Sequence, residues 1–261
     1  MRMRGWRQAF GILALSGCIQ VRGPAGAPPI ALPAKLKAIE VLLSQGRQER
    51  ALALAIESYR LPSTECASFV LEAIDATDPG GEVVVARTNF DQVVRLDPAR
   101  EAFRNARMLV LTLAHEIEHC AQHQRLYAET IEKDARFARL RSEFPRLRDL
   151  ALRVGQVPAG DPLLELESLV SLELARYAGW LPELFEVGAL LKALEVKEAV
   201  SPPELEFHKR YMEIAQRRLL LRRGVKAGSS PDQACKSEKA LPPRTAREYE
   251  ELCSRGLRLL E

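Results

Sequence analysis

Three of the four histidines in this 261-residue chain, His115, His119 and His123, follow one another at intervals of four. Glu116 stands beside the first, so residues 115–119 read His-Glu-Ile-Glu-His, an H-E-x-x-H arrangement. On a helix, two histidines four apart differ by about 40° in direction and roughly 6 Å in height, so both imidazoles can reach one ion. A catalytic zinc needs such a pair, one further protein ligand and an open position for water. Glu116 is then placed to take a proton from that water as general base. The run Met108-Leu-Val-Leu-Thr-Leu-Ala114 leading into the motif is almost wholly apolar, which predicts a buried helix. Free imidazoles on such a helix would need partners.

The segment Thr112-Leu-Ala-His-Glu-Ile-Glu-His-Cys-Ala121 resembles the active-site helix of the zincin metallopeptidases. Thr112 and Leu113 are typical of that helix; Glu118 departs from it, because zincins usually carry an uncharged residue there. His123 is a poor third ligand. It stands about 12 Å along a straight helix from His115, too far for two zinc bonds of about 2 Å each. The metzincin pattern of a glycine and a third histidine beyond the pair is absent. The expectation is therefore a glutamate on a later helix, as in the gluzincins. Residues 163–181 offer Glu165, Glu167 and Glu173. Glu167 falls inside the apolar stripe of Leu163, Val170, Leu174, Ala178 and Leu181, where a carboxylate is costly unless paired or bound to metal. Glu165 shares a face with Arg176 and reads as solvated. Glu167 is thus the expected third ligand and Glu173 its rival. Ser171, one turn beyond Glu167, together with Glu173 and His123, could support the ligands by hydrogen bonds. Tyr177, His208 and Tyr211 are candidate donors to a developing oxyanion.

Residues 1–17 carry Arg2, Arg4 and Arg7, then a short apolar stretch from Ala9 to Leu15, too short to span a bilayer. Leu15-Ser-Gly-Cys18 resembles the lipobox of bacterial lipoproteins. The resemblance implies removal of residues 1–17, lipidation of Cys18 and anchoring in the cell envelope; Ile19 after the cysteine favours the outer membrane. Removing Arg2, Arg4 and Arg7 takes away the whole +3 excess of charge. With no basic patch interleaved with aromatics, nucleic acid is not an expected partner. Four cysteines then remain for an oxidising compartment. Local placement favours Cys66–Cys120 and Cys235–Cys253, although three pairings are open and Cys120 could instead pack as a free thiol under the metal helix.

The elements that must position the motif follow from pattern. Residues 18–33, rich in Pro and Gly, read as a tether after the lipidated cysteine. Residues 34–61 read as a helical hairpin broken at Gly46 that resembles a single tetratricopeptide-like unit, with no second copy to form a solenoid. Residues 64–75 look helical, Asp78-Pro-Gly-Gly81 marks a turn, and Glu82–Thr88 is the clearest strand. In zincins such an edge strand commonly holds extended substrate. Asp97-Pro98 is expected to begin the helical region containing the motif. Ser201-Pro-Pro-Glu204 predicts a helix start and Gly224 its end. Residues 225–261 read as a linker and a short amphipathic helix.

The fold expected is α+β, predominantly α: a zincin-like helical domain over residues 34–224, with one small sheet and the metal site between two helices. The function expected is that of a membrane-anchored zinc metallopeptidase acting on a peptide or protein substrate. Two other readings stay open: a non-catalytic surface lipoprotein that binds a partner and keeps a structural zinc, and a zinc hydrolase of cell-wall amides.

Overall fold

The computed structural model describes residues 32–74, 86–88, 92–100, 103, 105–126, 180–225, 233, 235–236 and 243–260. Helices α1 (Ala34–Ser44) and α2 (Gln48–Tyr59) form the expected hairpin. It turns at Gly46, whose φ of +68° is a conformation that glycine adopts without a Cβ penalty. Strands β1 (Ser68–Leu71), β2 (Ala86–Thr88) and β3 (Val93–Leu96) form one sheet in the order β1-β3-β2. β3 runs parallel to β1 and antiparallel to β2. The remaining helices are α3 (Ala106–Leu126), α4 (Leu181–Leu194), α5 (Pro202–Arg222) and α6 (Pro243–Leu260). The architecture is α+β and predominantly α. No described helix is long and apolar enough to cross a membrane.

Three local expectations change. Of the expected helix over residues 64–75, the described residues 64–74 form no α-helix: a 3-10 turn at Ser63–Glu65 leads into β1. Ser68-Phe-Val-Leu71 pairs with Val93–Leu96, and tertiary pairing overrides a local pattern that either structure could use. Asp97-Pro98 does not open a helix but closes β3. The Asp97 carboxylate accepts the backbone N–H groups of Ala99 and Ile74, at 2.9 and 3.2 Å, and the Arg100 guanidinium. The motif helix starts later, at Ala106, with Asn105 Oδ1 accepting the Arg107 N–H and the Glu40 carboxylate of α1 accepting that of Ala106. Finally, α4 is a helix that the sequence reading did not anticipate. Within the expected strand Glu82–Thr88, residues 86–88 are strand and residues 82–85 lie outside the described residues.

Two apolar cores result. The first joins α1, α2, the sheet and α3 through Leu36, Ile39, Ala55, Val94, Leu96, Leu109 and Leu113. The second joins α4, α5 and α6 through Leu184, Val187, Met212, Leu219 and Tyr249. The two meet where α3 packs along α4. Both favoured disulfides are present, and each fastens one core. Cys66–Cys120 ties the turn before β1 to α3, and Cys235–Cys253 holds the chain after α5 to α6.

The two bridges close loops of different length, with sequence separations of 54 and 18. Loop-closure entropy then predicts a loss of about 4 kcal/mol for the Cys66→Ser, Cys120→Ser pair and about 3 kcal/mol for the Cys235→Ser, Cys253→Ser pair. Denaturant unfolding would measure both, and a loss below about 1 kcal/mol for either would show that the bridge does not constrain the unfolded chain.

Candidate metal centre

His115 and His119 project from the middle of α3 toward α4, where Glu186 meets them. All three are buried. The two Nε2 atoms lie 3.0 Å apart, with His115 Nε2 3.4 Å from Glu186 Oε2 and His119 Nε2 3.3 Å from Glu186 Oε1. One ligand atom from each residue falls within 4.8 Å of the other two. For bonds of about 2.0–2.1 Å, a tetrahedral centre separates its ligand atoms by about 3.3 Å. Two imidazoles and a carboxylate at these spacings, shielded from water, form a group that could hold a metal ion. Glu116 is only 1% exposed beside it.

The chemistry of this group follows from burial. A lone carboxylate at Glu186 would be costly and would take up a proton. Burial does push its pKa upward, but the charges and hydrogen bonds of His119 and His115 outweigh that and hold it below the ordinary carboxylate range. His119 answers in the opposite sense. Burial lowers its pKa, yet the Glu186 carboxylate, with smaller contributions from Glu116 and Gln122, carries it well above the ordinary imidazole value. Without metal, the site is therefore an ion pair across the α3–α4 seam.

Glu186, the carboxylate of this group, is not among the glutamates that the sequence singled out. It belongs to α4, whose residues Leu184 to Leu191 are all buried. A charged residue in so apolar a run was a signal available in Leu-Phe-Glu-Val-Gly-Ala-Leu-Leu. The pattern ending at Leu181 drew attention away from it. The expected ligand Glu167, its rival Glu173, Ser171 and Tyr177 all lie outside the described residues. His123 is buried one turn below the pair, its ring stacked 6.4 Å from that of His119 and edge-on to Phe185, so it packs under the site and is not in the ligand group. Glu118 turns away and pairs with Arg125 at 2.7 Å, and Arg125 also reaches Glu248 of α6. Its charge is thus compensated on another flank of α3.

His208 of α5 places Nδ1 2.8 Å from the Glu204 carbonyl. Only a protonated Nδ1 can bond there, so neutral His208 offers an acceptor at Nε2. Burial, helped by the charge of His115 against the opposing pull of Glu204, lowers its pKa to about 4. This favours an acceptor over a cationic donor at neutral pH. Tyr211, also buried, packs on Phe207 with ring centroids 4.7 Å apart. A cleft of about 1180 Å³ is lined by Ala114, Ile117 and Glu118 of α3 and by residues of α2 and α4. His115, His119 and Glu186 are not among its lining residues.

No protein-family model, curated protein or solved structure matches this chain.

A metal ion must displace the proton that His119 carries at neutral pH, because its pKa is raised. Binding should therefore release about one proton near pH 7 and weaken as pH falls, by up to about tenfold per unit while His119 is the proton competitor. Calorimetric titration of metal in buffers of different ionisation enthalpy would count the proton. No release, or affinity that rises toward acid pH, would contradict the ion-pair description.

Proposed function

We propose that this protein is a zinc-dependent metallopeptidase of the cell envelope, held to the membrane by lipid on Cys18, with His115, His119 and Glu186 as ligands and Glu116 as general base. The observation that carries this reading is the meeting of an H-E-x-x-H helix with a buried carboxylate from a second helix, at the spacings of a three-ligand zinc site. Two neutral imidazoles and one carboxylate suit zinc and leave a position open for water. Zinc held there supplies Lewis acidity toward a carbonyl oxygen and lowers the pKa of water to about 7. Glu116 accepts the proton of the attacking water and returns it to the leaving amine. Glu116 is buried beside the group, next in sequence to His115.

Support for the location comes from the N-terminal sequence. A basic start, a short apolar stretch and Leu15-Ser-Gly-Cys18 suit a lipoprotein, and Ile19 suits the outer membrane. Two disulfides are in keeping with an oxidising compartment. A second reading draws on a specific observation: the three ligands are 4–8% exposed, a degree of burial that also suits a structural ion in a non-catalytic lipoprotein. Hydrolysis of cell-wall amides would use the same chemistry on another carbonyl.

Substitutions separate these readings. His115→Ala and His119→Ala should abolish binding of about one zinc per chain, and Glu186→Gln should weaken it, because a neutral amide is a poor ligand. Glu116→Gln should keep zinc but lower turnover of a peptide pool by about 10²–10⁴-fold. Full zinc content in Glu186→Gln alongside loss in Glu167→Gln or Glu173→Gln would move the third ligand. Tight zinc with no hydrolysis of peptides or cell-wall material by the parent protein would favour the structural ion. For the anchor, Cys18→Ser should remove incorporation of a fatty-acid analogue; equal labelling of parent and variant would refute lipidation at that residue.

A further inference from the structure

Gln122 lies one turn beyond His119, buried between α3 and α4. Its Nε2 is 3.0 Å from the backbone carbonyl of Phe185, and its Oε1 is 2.9 Å from His119 Nδ1. The carbonyl can only accept, so the NH₂ end of the amide must face it. That leaves the amide oxygen, which can only accept, facing His119. The proton of this contact must therefore sit on His119 Nδ1. The chain of bonds has one polarity, and it ends by leaving the Nε2 lone pair of His119 for an ion.

The room for this bridge is made by Gly188. A Cβ there would stand 2.6 Å from Gln122 Nε2 and 3.1 Å from Leu252 Cδ1. Glycine three residues after a helix carbonyl opens that carbonyl to a side chain from outside the helix. The same device recurs between α5 and α6: Gln216 Nε2 donates to the Cys253 carbonyl at 2.9 Å, over Gly256, where a Cβ would overlap the amide. There the amide oxygen has no partner among the described residues. At Gln122 the oxygen meets a ligand of the candidate metal centre, so the device does more than join helices.

Resting on the metal-site reading above, we propose that Gln122 is the positioning residue of the centre: it fixes the His119 tautomer and locks α3 to α4 next to Glu186. Gln122 does not touch the ion. It removes the freedom of the His119 ring and the relative sliding of two helices, both of which would otherwise be lost on binding.

The test uses the full chain and zinc alone, with affinity measured against a competing chelator. Gln122→Met keeps the length and apolar packing but neither hydrogen bond. Gly188→Ala leaves Gln122 in the sequence but displaces its amide. Each should weaken zinc about 10–100-fold while leaving the helical circular-dichroism spectrum unchanged. Long-range ¹H–¹⁵N spectra should show His119 bound through Nε2, with an exchange-protected proton on Nδ1 that Gln122→Met loses. Zinc affinity within twofold of the parent in both variants, or His119 bound through Nδ1, would overturn the proposal. If Gln122→Met fails to fold, Gly188→Ala decides, and unchanged affinity there overturns it. If the parent binds no zinc, the metal reading falls on its own; the metal-free protein, observed at a pH alkaline enough to leave the His119 ring neutral, then decides: a proton on Nδ1 that moves or exchanges freely in Gln122→Met supports the tautomer role, and a proton on Nε2 in the parent overturns it.

Discussion

A carboxylate buried between two imidazoles is the constraint around which the rest is arranged. Glu186 cannot stay ionised in the seam between α3 and α4 unless positive charge stands beside it. His119 supplies that charge in the metal-free protein, and a cation can supply it in its place. An apolar residue at 186 would suit the surroundings better, since Phe185, Val187 and Ala189 flank it and are all buried. Retaining a charge there against that preference is the strongest physical argument that the group has a task. A second acid shows the other outcome: Glu183, one turn earlier and also buried, takes Arg222 of α5 as its partner at 2.6 Å, but there burial outweighs the cation and the pKa is raised.

The supporting structure divides between the two cores. One carries the histidines and the other carries the glutamate, so the centre is complete only when the cores are docked. Each core has its own covalent brace, and neither brace crosses the seam. What crosses it instead is packing, the Glu186 contacts and the Gln122 bridge. On another flank of α3, Arg125 reaches Glu248 of α6. Polar contacts here set how the helices sit along one another, and apolar packing supplies the bulk of the attraction.

Much of this was legible in the chain. His115, Glu116 and His119 announce themselves because their spacing matches the helical repeat and the flanking run is apolar. The hairpin at Gly46 and the helix from Pro202 follow from local rules, and local placement favoured both cysteine pairings among the three that were open. The carboxylate that meets the two histidines was harder, because sequence distance carries no information about which later helix crosses α3. A carboxylate in an apolar stripe is a sound criterion, and Glu167 satisfies it, but so does Glu186, on a helix whose all-round burial blurs any stripe. Strands β1 and β3 were missed for a related reason. Four-residue strands hold too few alternations to show a period, and their identity comes from pairing across more than twenty residues. Gln122 gave no sequence signal at all, because its role depends on a carbonyl and an absent Cβ on another helix.

The absence of a side chain at position 188 has a consequence for assembly. A chain in which only one core has formed offers either two imidazoles or one carboxylate, and neither alone makes a strong site. An ion held by His115, His119 and Glu186 would take ligands from both halves and so resist their parting. Gly188 leaves the space in which Gln122 of one half reaches the Phe185 carbonyl of the other, so a contact that joins the halves depends on a side chain that is not there.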